Sequence, residues 1–304
     1  MPELPDVTVY AESLAAKVVG SALRRVRVLN PFLLRSAVPP IGSAEGRVVT
    51  GIERLGKRIV IALAGGSPDE ASGGEPLFLV LHLMIAGRLH WHAAGAKPPA
   101  KSALAWFEFD GGTLALTEAG TQRRASLHLV AGRAALAAMD PGGIEVMDAP
   151  LAAFAQRLRA GNHTLKRALT DPHSFSGIGN AYSDEILHRA KLSPVALTRS
   201  LGDDEVARLH AATREVLAEW VDRLRGEAAA NAGWPKRVTA FHPAMAVHGR
   251  FEQPCPVCGM PVQRIVYASN ETNYCVRCQT GGKLLADRAL SRLLKASWPK
   301  TLDG

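Results

Sequence analysis

The feature that most constrains this chain is the spacing of its four cysteines. Cys255-Pro-Val-Cys258 and Cys275-Val-Arg-Cys278 form the pattern C-x2-C-x16-C-x2-C. Two residues between cysteines let a tight turn aim both sulfurs at one ion. Two such turns supply four thiolates, the closed tetrahedral shell that Zn2+ accepts. Gly259, directly after the first pair, can take the positive φ such a turn needs. Residues Val262–Val266 then read as one strand of a small hairpin. A shell of four sulfurs leaves no position for water, so one structural Zn2+ on Cys255, Cys258, Cys275 and Cys278 is expected. His242 and His248 lie nearby but are not needed as ligands. A zinc hairpin by itself occurs in enzymes, in nucleic-acid binders and in interaction modules.

The rest of the chain narrows those classes. It has 304 residues, which at roughly 100–200 residues per domain means about two domains. Hydrophobic residues make up 47% and charged residues 21%, which excludes a disordered tail. Lys and Arg number 36 against 28 Asp and Glu, a net charge of +8 that favours a polyanionic partner. No run approaches the roughly 18 apolar residues of a membrane helix, so no membrane partner is expected. Met-Pro-Glu-Leu-Pro-Asp lacks a basic segment leading into an apolar one and is not a secretory signal. Cytoplasmic thiols in close pairs again favour metal over disulfides.

Texture divides the chain. Residues 1–135 read as one helix followed by strands. Val7, Tyr10, Leu14 and Val18 sit at helical spacing, ended by Gly20. Strand-like segments follow at 24–29, 46–53, 57–63, 77–83, 105–109 and 113–117, with Asp110-Gly111-Gly112 as a hairpin turn. Many short strands joined by Gly- and Pro-rich turns point to a β-sandwich. Residues 145–226 switch to helical period, with helices around Leu151–Leu158, Leu165–Thr170, Asn180–Arg189 and from Asp203 or Asp204 onward. The zinc finger occupies 245–280. In the tail, 281–304, Leu285, Ala289 and Leu293 describe a short helix, with Lys283, Arg288, Arg292 and Lys295 around it. The expected class is α+β.

Two further stretches carry chemistry. If Met1 is removed, as the small residue after it allows, Pro2 becomes a secondary amine. An α-amino group titrates near 7.7–8.0, so part of it is free to attack an aldehyde-like carbon at neutral pH. Glu3 beside it can shuttle a proton. Pro5 and Asp6 also serve simply to start a helix. In Gly177-Ile178-Gly179-Asn180, the glycines let backbone approach an anion, and the following helix offers its N-terminal N–H groups. Asn180 either contacts that anion or caps the helix.

Three motifs occur in order. They are Met1-Pro2-Glu3-Leu4-Pro5-Asp6 before a helix, Gly177-Ile178-Gly179-Asn180-Ala181-Tyr182 between helices, and the hairpin ending Tyr274-Cys-Val-Arg-Cys-Gln279. Over residues 1 to about 280 the chain resembles the formamidopyrimidine-DNA glycosylase / endonuclease VIII family of repair enzymes. The resemblance implies a β-sandwich joined to a helix–two-turn–helix domain bearing the zinc finger, with duplex DNA containing damaged or abasic sites as partner. It implies a monomeric, bacterial-type cytoplasmic enzyme, associated with the nucleoid through its DNA. In such enzymes the damaged nucleotide leaves the stack. The N-terminal proline, here Pro2, attacks the sugar C1′ and forms a Schiff base. The neighbouring glutamate, here Glu3, protonates the sugar. A lysine after a basic stretch, here Lys57 in Arg54-Leu55-Gly56-Lys57, holds a phosphate and aids β-elimination. Asn180, Lys166, Arg124 and Arg264 are the implied DNA contacts. The activity implied is that of a glycosylase for oxidised bases with AP lyase activity; the alternative is a catalytically weakened, damage-sensing homologue.

The chain departs from the family pattern at four places. Gln122-Arg123-Arg124-Ala125 has alanine where an aromatic wedge stands. In His82-Leu83-Met84-Ile85-Ala86-Gly87, Met84 or Ile85 takes the place of the wedge methionine. Asn270 stands where the hairpin carries a phosphate-binding arginine, and Asn offers neither its charge nor its fork. Lys101-Ser102-Ala103-Leu104 lacks a DNA-contacting histidine. Weakened δ-elimination and a relaxed preference for the opposite base are the expected consequences.

Overall fold

The computed structural model describes residues 1–65, 74–96, 102–119, 122–236, 241–267, 270–286 and 301. The expected tail helix at 285–293, with Arg288, Arg292 and Lys295, lies largely outside the described residues, as does Lys101. Contacts group the chain into two units, Met1–Pro141 with Val221–Val238, and Gly142–Trp220 with Thr239–Gly304.

The first unit opens with α1 (Leu4–Val18), which has a proline in its first turn, where the missing N–H costs nothing. Asp6 accepts the Glu3 N–H at 2.8 Å, satisfying a donor the helix start would otherwise strand. Eight strands follow: β1 (Leu23–Val28), β2 (Val49–Leu55), β3 (Arg58–Leu63), β4 (Leu77–His82), β5 (Gly87–His92), β6 (Ala103–Phe109), β7 (Gly112–Glu118) and β8 (Ser126–Ala131). They form two antiparallel four-stranded sheets, ordered β1-β6-β7-β5 and β2-β3-β4-β8. Alternate residues meet in one core. Ile59, Ile61, Leu79, Leu81, Leu127 and Leu129 of one sheet cluster with Phe107, Phe109, Leu114 and Leu116 of the other, and with Val7, Tyr10 and Leu14 of α1. The outer face of β3 and β4, with Val60, Ala62, Phe78 and Val80, packs on Leu136 of α2 (Gly132–Ala137). Both faces are covered, which is why these two strands read as unbroken apolar runs.

The second unit holds α3 (Leu151–Arg159), α4 (Leu165–Thr170), α5 (Asn180–Ala190) and the first part of α6 (Asp203–Ala229). α6 begins at Asp203, with Glu205 accepting the Gly202 N–H at 3.1 Å in place of an Asp203 or Asp204 cap. Phe154 and Phe175 pack at 4.8 Å between ring centres. The zinc hairpin is β9 (Val262–Tyr267), β10 (Asn270–Cys275) and α7 (Val276–Thr280). Among the described residues, no helix is long and apolar enough to cross a membrane.

The end of α6 and the residues after it group with the first unit. Arg225 pairs with Glu12 at 2.7 Å, and the buried Trp234 donates to the Leu89 carbonyl at 3.2 Å beside Tyr10 and Trp91. Trp234 completes the sheet unit's core, and Val221–Val238 group with that unit.

Candidate functional site

In the first unit the chain start is held still. Pro2 is buried and Glu3 is 2% exposed at the N-cap of α1. Burial pushes the Met1 ammonium below its ordinary value; Glu3 and Asp6 oppose that shift, while the charges of Arg88 and Lys57 add to it. Burial, joined by the Glu3 charge, lifts the Asp6 carboxyl to about 7 against the Glu3 N–H, the N-terminal charge and Arg88. The chain start therefore lies in a desolvated setting flanked by two cations and two carboxyl groups. That setting favours the uncharged form of the Met1 amine.

Lys57 stands in the two-residue turn between β2 and β3, one residue before the strand. Gly56 supplies the positive φ that a II′ hairpin turn requires at this position. Arg54 donates to the Gly56 carbonyl at 2.8 Å and braces that turn. Burial pushes His82 down to about 4, with Arg58, Lys57 and His128 adding to the effect. Lys57 thus belongs to an electropositive edge suited to an anion.

The turn before β5 sets Met84 and Ile85 in different surroundings. Gly87 N–H closes it on the Leu83 carbonyl at 2.9 Å. Met84 takes φ 51°, the left-handed region, and Ile85 projects with 61% exposure. Arg88 donates to the carbonyls of Gly87 and Ile85 at 2.7 and 3.2 Å, so one guanidinium both braces this turn and acts on the chain start. Arg88 does not stand out in the sequence because its strand, β5, is short and holds only two large apolar residues, Leu89 and Trp91. The signal available was its position directly after the Gly87 turn. Ala125 is buried in the core, and the Glu118 carboxylate accepts the backbone N–H groups of Arg124 and Ala125, both at 3.0 Å. The Arg124 side chain is exposed and donates to Gln122 at 2.9 Å.

In the second unit the Gly177–Gly179 turn leads into α5. Gly177 has φ 80°, and Gly179 is the N-cap without a side-chain cap. Asn180 is the first helical residue, and its amide donates to the Glu271 carbonyl on β10 at 3.0 Å, so it does not cap the helix. Lys166 turns inward. Its ammonium donates to the Asn180 carbonyl at 2.5 Å and to Asp184 at 2.6 Å, with its side chain 13% exposed. Lys166 thereby also ties the backbone of Asn180 in place. Asp184, fully buried, also meets His248 Nδ1 at 2.7 Å and accepts the Asn273 N–H at 3.1 Å. Glu185 accepts the N–H groups of Ala246, Val247 and His248 at 2.7, 2.9 and 2.9 Å. Burial raises its carboxyl against those three bonds. Neither acid stands out in the sequence, since, Lys166 apart, their partners lie about 60 to 90 residues away. Arg264 lies over the Phe251 ring at 4.2 Å and 3.4 Å from Glu271, partly tethered on the hairpin. The Asn270 side chain is outside the described residues.

The four sulfurs lie within 4.8 Å of one another, with Cys258–Cys275 at 3.3 Å and Cys255–Cys278 at 3.9 Å. A tetrahedral zinc with bonds of about 2.3 Å separates its sulfurs by about 3.8 Å, so the donor set fits one Zn2+. Gly259, at φ 76°, donates to the Cys255 carbonyl at 2.9 Å and forms the first knuckle. In the second, the Cys278 N–H donates to Cys275 Sγ at 3.4 Å. The His248 ring is engaged with Asp184 rather than with the sulfurs.

Comparison with known proteins agrees with this layout. Residues 1–125 match the formamidopyrimidine-DNA glycosylase N-terminal domain, 141–230 its H2TH domain, and 252–281 the zinc finger found in FPG and IleRS. A formamidopyrimidine-DNA glycosylase of Symbiobacterium thermophilum is 33% identical over 295 residues, covering 92% of this chain and 89% of that protein. The crystal structure of the MutM (Fpg) protein of Thermus thermophilus is 32% identical, with a TM-score of 0.73 over 91% of this chain and 98% of that one. The Lactococcus lactis enzyme, non-covalently bound to DNA containing an AP site, shares the fold at 23% identity, with a TM-score of 0.75 over 91% of this chain and 99% of that one.

Proposed function

Because the chain belongs to the formamidopyrimidine-DNA glycosylase family, and is thus a DNA glycosylase of base excision repair, we propose that it works through an imine on Pro2 and is also an AP lyase. One observation carries the reading. Pro2 is buried, Glu3 beside it is 2% exposed, and the charges of Lys57 and Arg88 reach the Met1 ammonium that precedes it. After Met1 is cleaved, Pro2 nitrogen bonds to the sugar C1′ as the bond from C1′ to the damaged base breaks, and the base leaves with a proton. Glu3 protonates the sugar ring oxygen, and the ring opens to an iminium. Loss of a C2′ proton then expels the 3′ phosphate as the strand breaks. The iminium acts as electron sink, and water finally releases the sugar fragment.

The partner is duplex DNA with an oxidised base or an abasic site. Lys57 holds a phosphate at the electropositive edge of the first unit. Asn180, with the N–H groups after Gly179, holds another in the second unit, and Arg264 and Arg124 add contacts. Ile85, raised on its strained turn, fills the space vacated by the flipped nucleotide. With Ala125 buried, no aromatic reads the opposite base from that position, so opposite-base preference is relaxed. Asn270 in place of arginine makes β-elimination dominate over δ-elimination.

The test is borohydride reduction during incubation with an abasic duplex. The protein with processed N-terminus forms a covalent complex, and Pro2→Gly forms far less. A folded, processed protein that binds the duplex and is never trapped overturns the imine and leaves a damage-binding homologue.

A further inference from the structure

The metal knuckle receives a hydrogen bond from outside the hairpin. His188, near the end of α5 and 6% exposed, places Nε2 3.3 Å from Cys255 Sγ, itself 3% exposed. The two residues are 67 positions apart. Cys275, by comparison, accepts a backbone N–H from within its own knuckle. A sulfur bound to zinc has given up its proton, so it can only accept. The ring nitrogen facing it must then carry the hydrogen.

We infer that His188 is an outer-shell donor of the zinc site, with its Nε2–H on the Cys255 thiolate, and that it slows metal loss. Four thiolates around a dication carry a net negative charge, here in a partly buried place with Cys255 and Cys275 buried. A donor to one sulfur spreads that charge and holds Cys255 against the ion. The same bond makes α5, whose first residue is Asn180, a neighbour of the metal. The hairpin and α5 are thereby tied at both ends of the helix, by Asn180 on Glu271 and by His188 on Cys255. A buried histidine that merely filled space would leave the metal indifferent to its replacement by an aromatic ring without a donor. The assignment concerns the metal alone and does not rest on the reaction proposed for the first unit.

The experiment uses the full chain loaded with zinc, and separately with cobalt. In His188→Phe, transfer of zinc to a chromogenic chelator should be about 10- to 100-fold faster than in the unsubstituted protein. The thiolate-to-cobalt charge-transfer band should move to longer wavelength. Zinc release at the original rate, with the band unmoved and the fold intact by circular dichroism, overturns the inference. Nitrogen NMR of the unsubstituted, zinc-loaded protein decides the matter without any variant. A proton on His188 Nε2 supports the assignment, and one on Nδ1 alone overturns it.

Discussion

Replacing Asp184 by asparagine should damage the second unit more than any surface charge change. The carboxylate is fully buried, and its partner Lys166 is 13% exposed and 2.6 Å away, so solvent screens little of the pair. Asp184→Asn leaves an ammonium in that place with the Asn180 carbonyl but no counter-charge. Breaking a buried pair in this way costs about 3–5 kcal/mol. The reverse change is milder. In Lys166→Met the carboxylate keeps the Asn273 N–H and the His248 ring, and a cost of about 1–3 kcal/mol is expected. The double variant should recover about 1–3 kcal/mol relative to Asp184→Asn alone, because the stranded charge has gone. Urea unfolding of the zinc-loaded protein, with circular dichroism and calorimetry as parallel readouts, measures all three. An Asp184→Asn cost below about 1 kcal/mol, or a double variant no better than Asp184→Asn alone, would refute the argument that this ion pair is desolvated.

Other outcomes follow from the same geometry. The folded chain holds the Asp6 proton up to about pH 7, against an ordinary value of 3.8. Asp6 therefore favours folding at low pH, and that contribution is lost as pH rises from about 4 through about 7. Asp6→Asn should flatten this part of the stability–pH curve and be the more stable protein at pH 8, as chemical denaturation across pH will show. A Cβ at Gly87 would sit 2.2 Å from the Leu83 carbonyl oxygen, so Gly87→Ala should cost about 1–3 kcal/mol in thermal unfolding and weaken binding to an abasic duplex. Ala125→Phe should destabilise by a similar amount without creating an opposite-base preference, because the site is core. Chelation should remove one zinc per chain by elemental analysis and abolish DNA binding, while α1 and the sheets keep their hydrogen-exchange protection.

What was legible in the sequence was local. The cysteine spacing implies the metal shell because two knuckles need only their own turns. α4 and α5 appear close to where their apolar period places them, and the Asp110–Gly112 turn joins β6 to β7. Residues whose meaning comes from distant partners were hidden. Lys166 reads as a surface cation until Asp184 and the Asn180 carbonyl are found beside it. Trp234 falls between the expected helical and zinc-finger regions, yet it closes the sheet core. β5 and β8 escaped notice because β5 has few apolar residues and β8 runs directly into α2. The left-handed backbone at Met84 was hidden as well, because no periodicity reports a φ.

The central claim is that the new bond forms on the nitrogen of Pro2. Peptide mapping by mass spectrometry of the borohydride-reduced complex tests it directly. After nuclease and trypsin digestion, the sugar remnant should be carried by the N-terminal peptide ending at Lys17, with fragmentation placing it on Pro2. A remnant on the lysine of the Gly56–Lys57 turn, or an unmodified N-terminal peptide in a trapped complex, would contradict it.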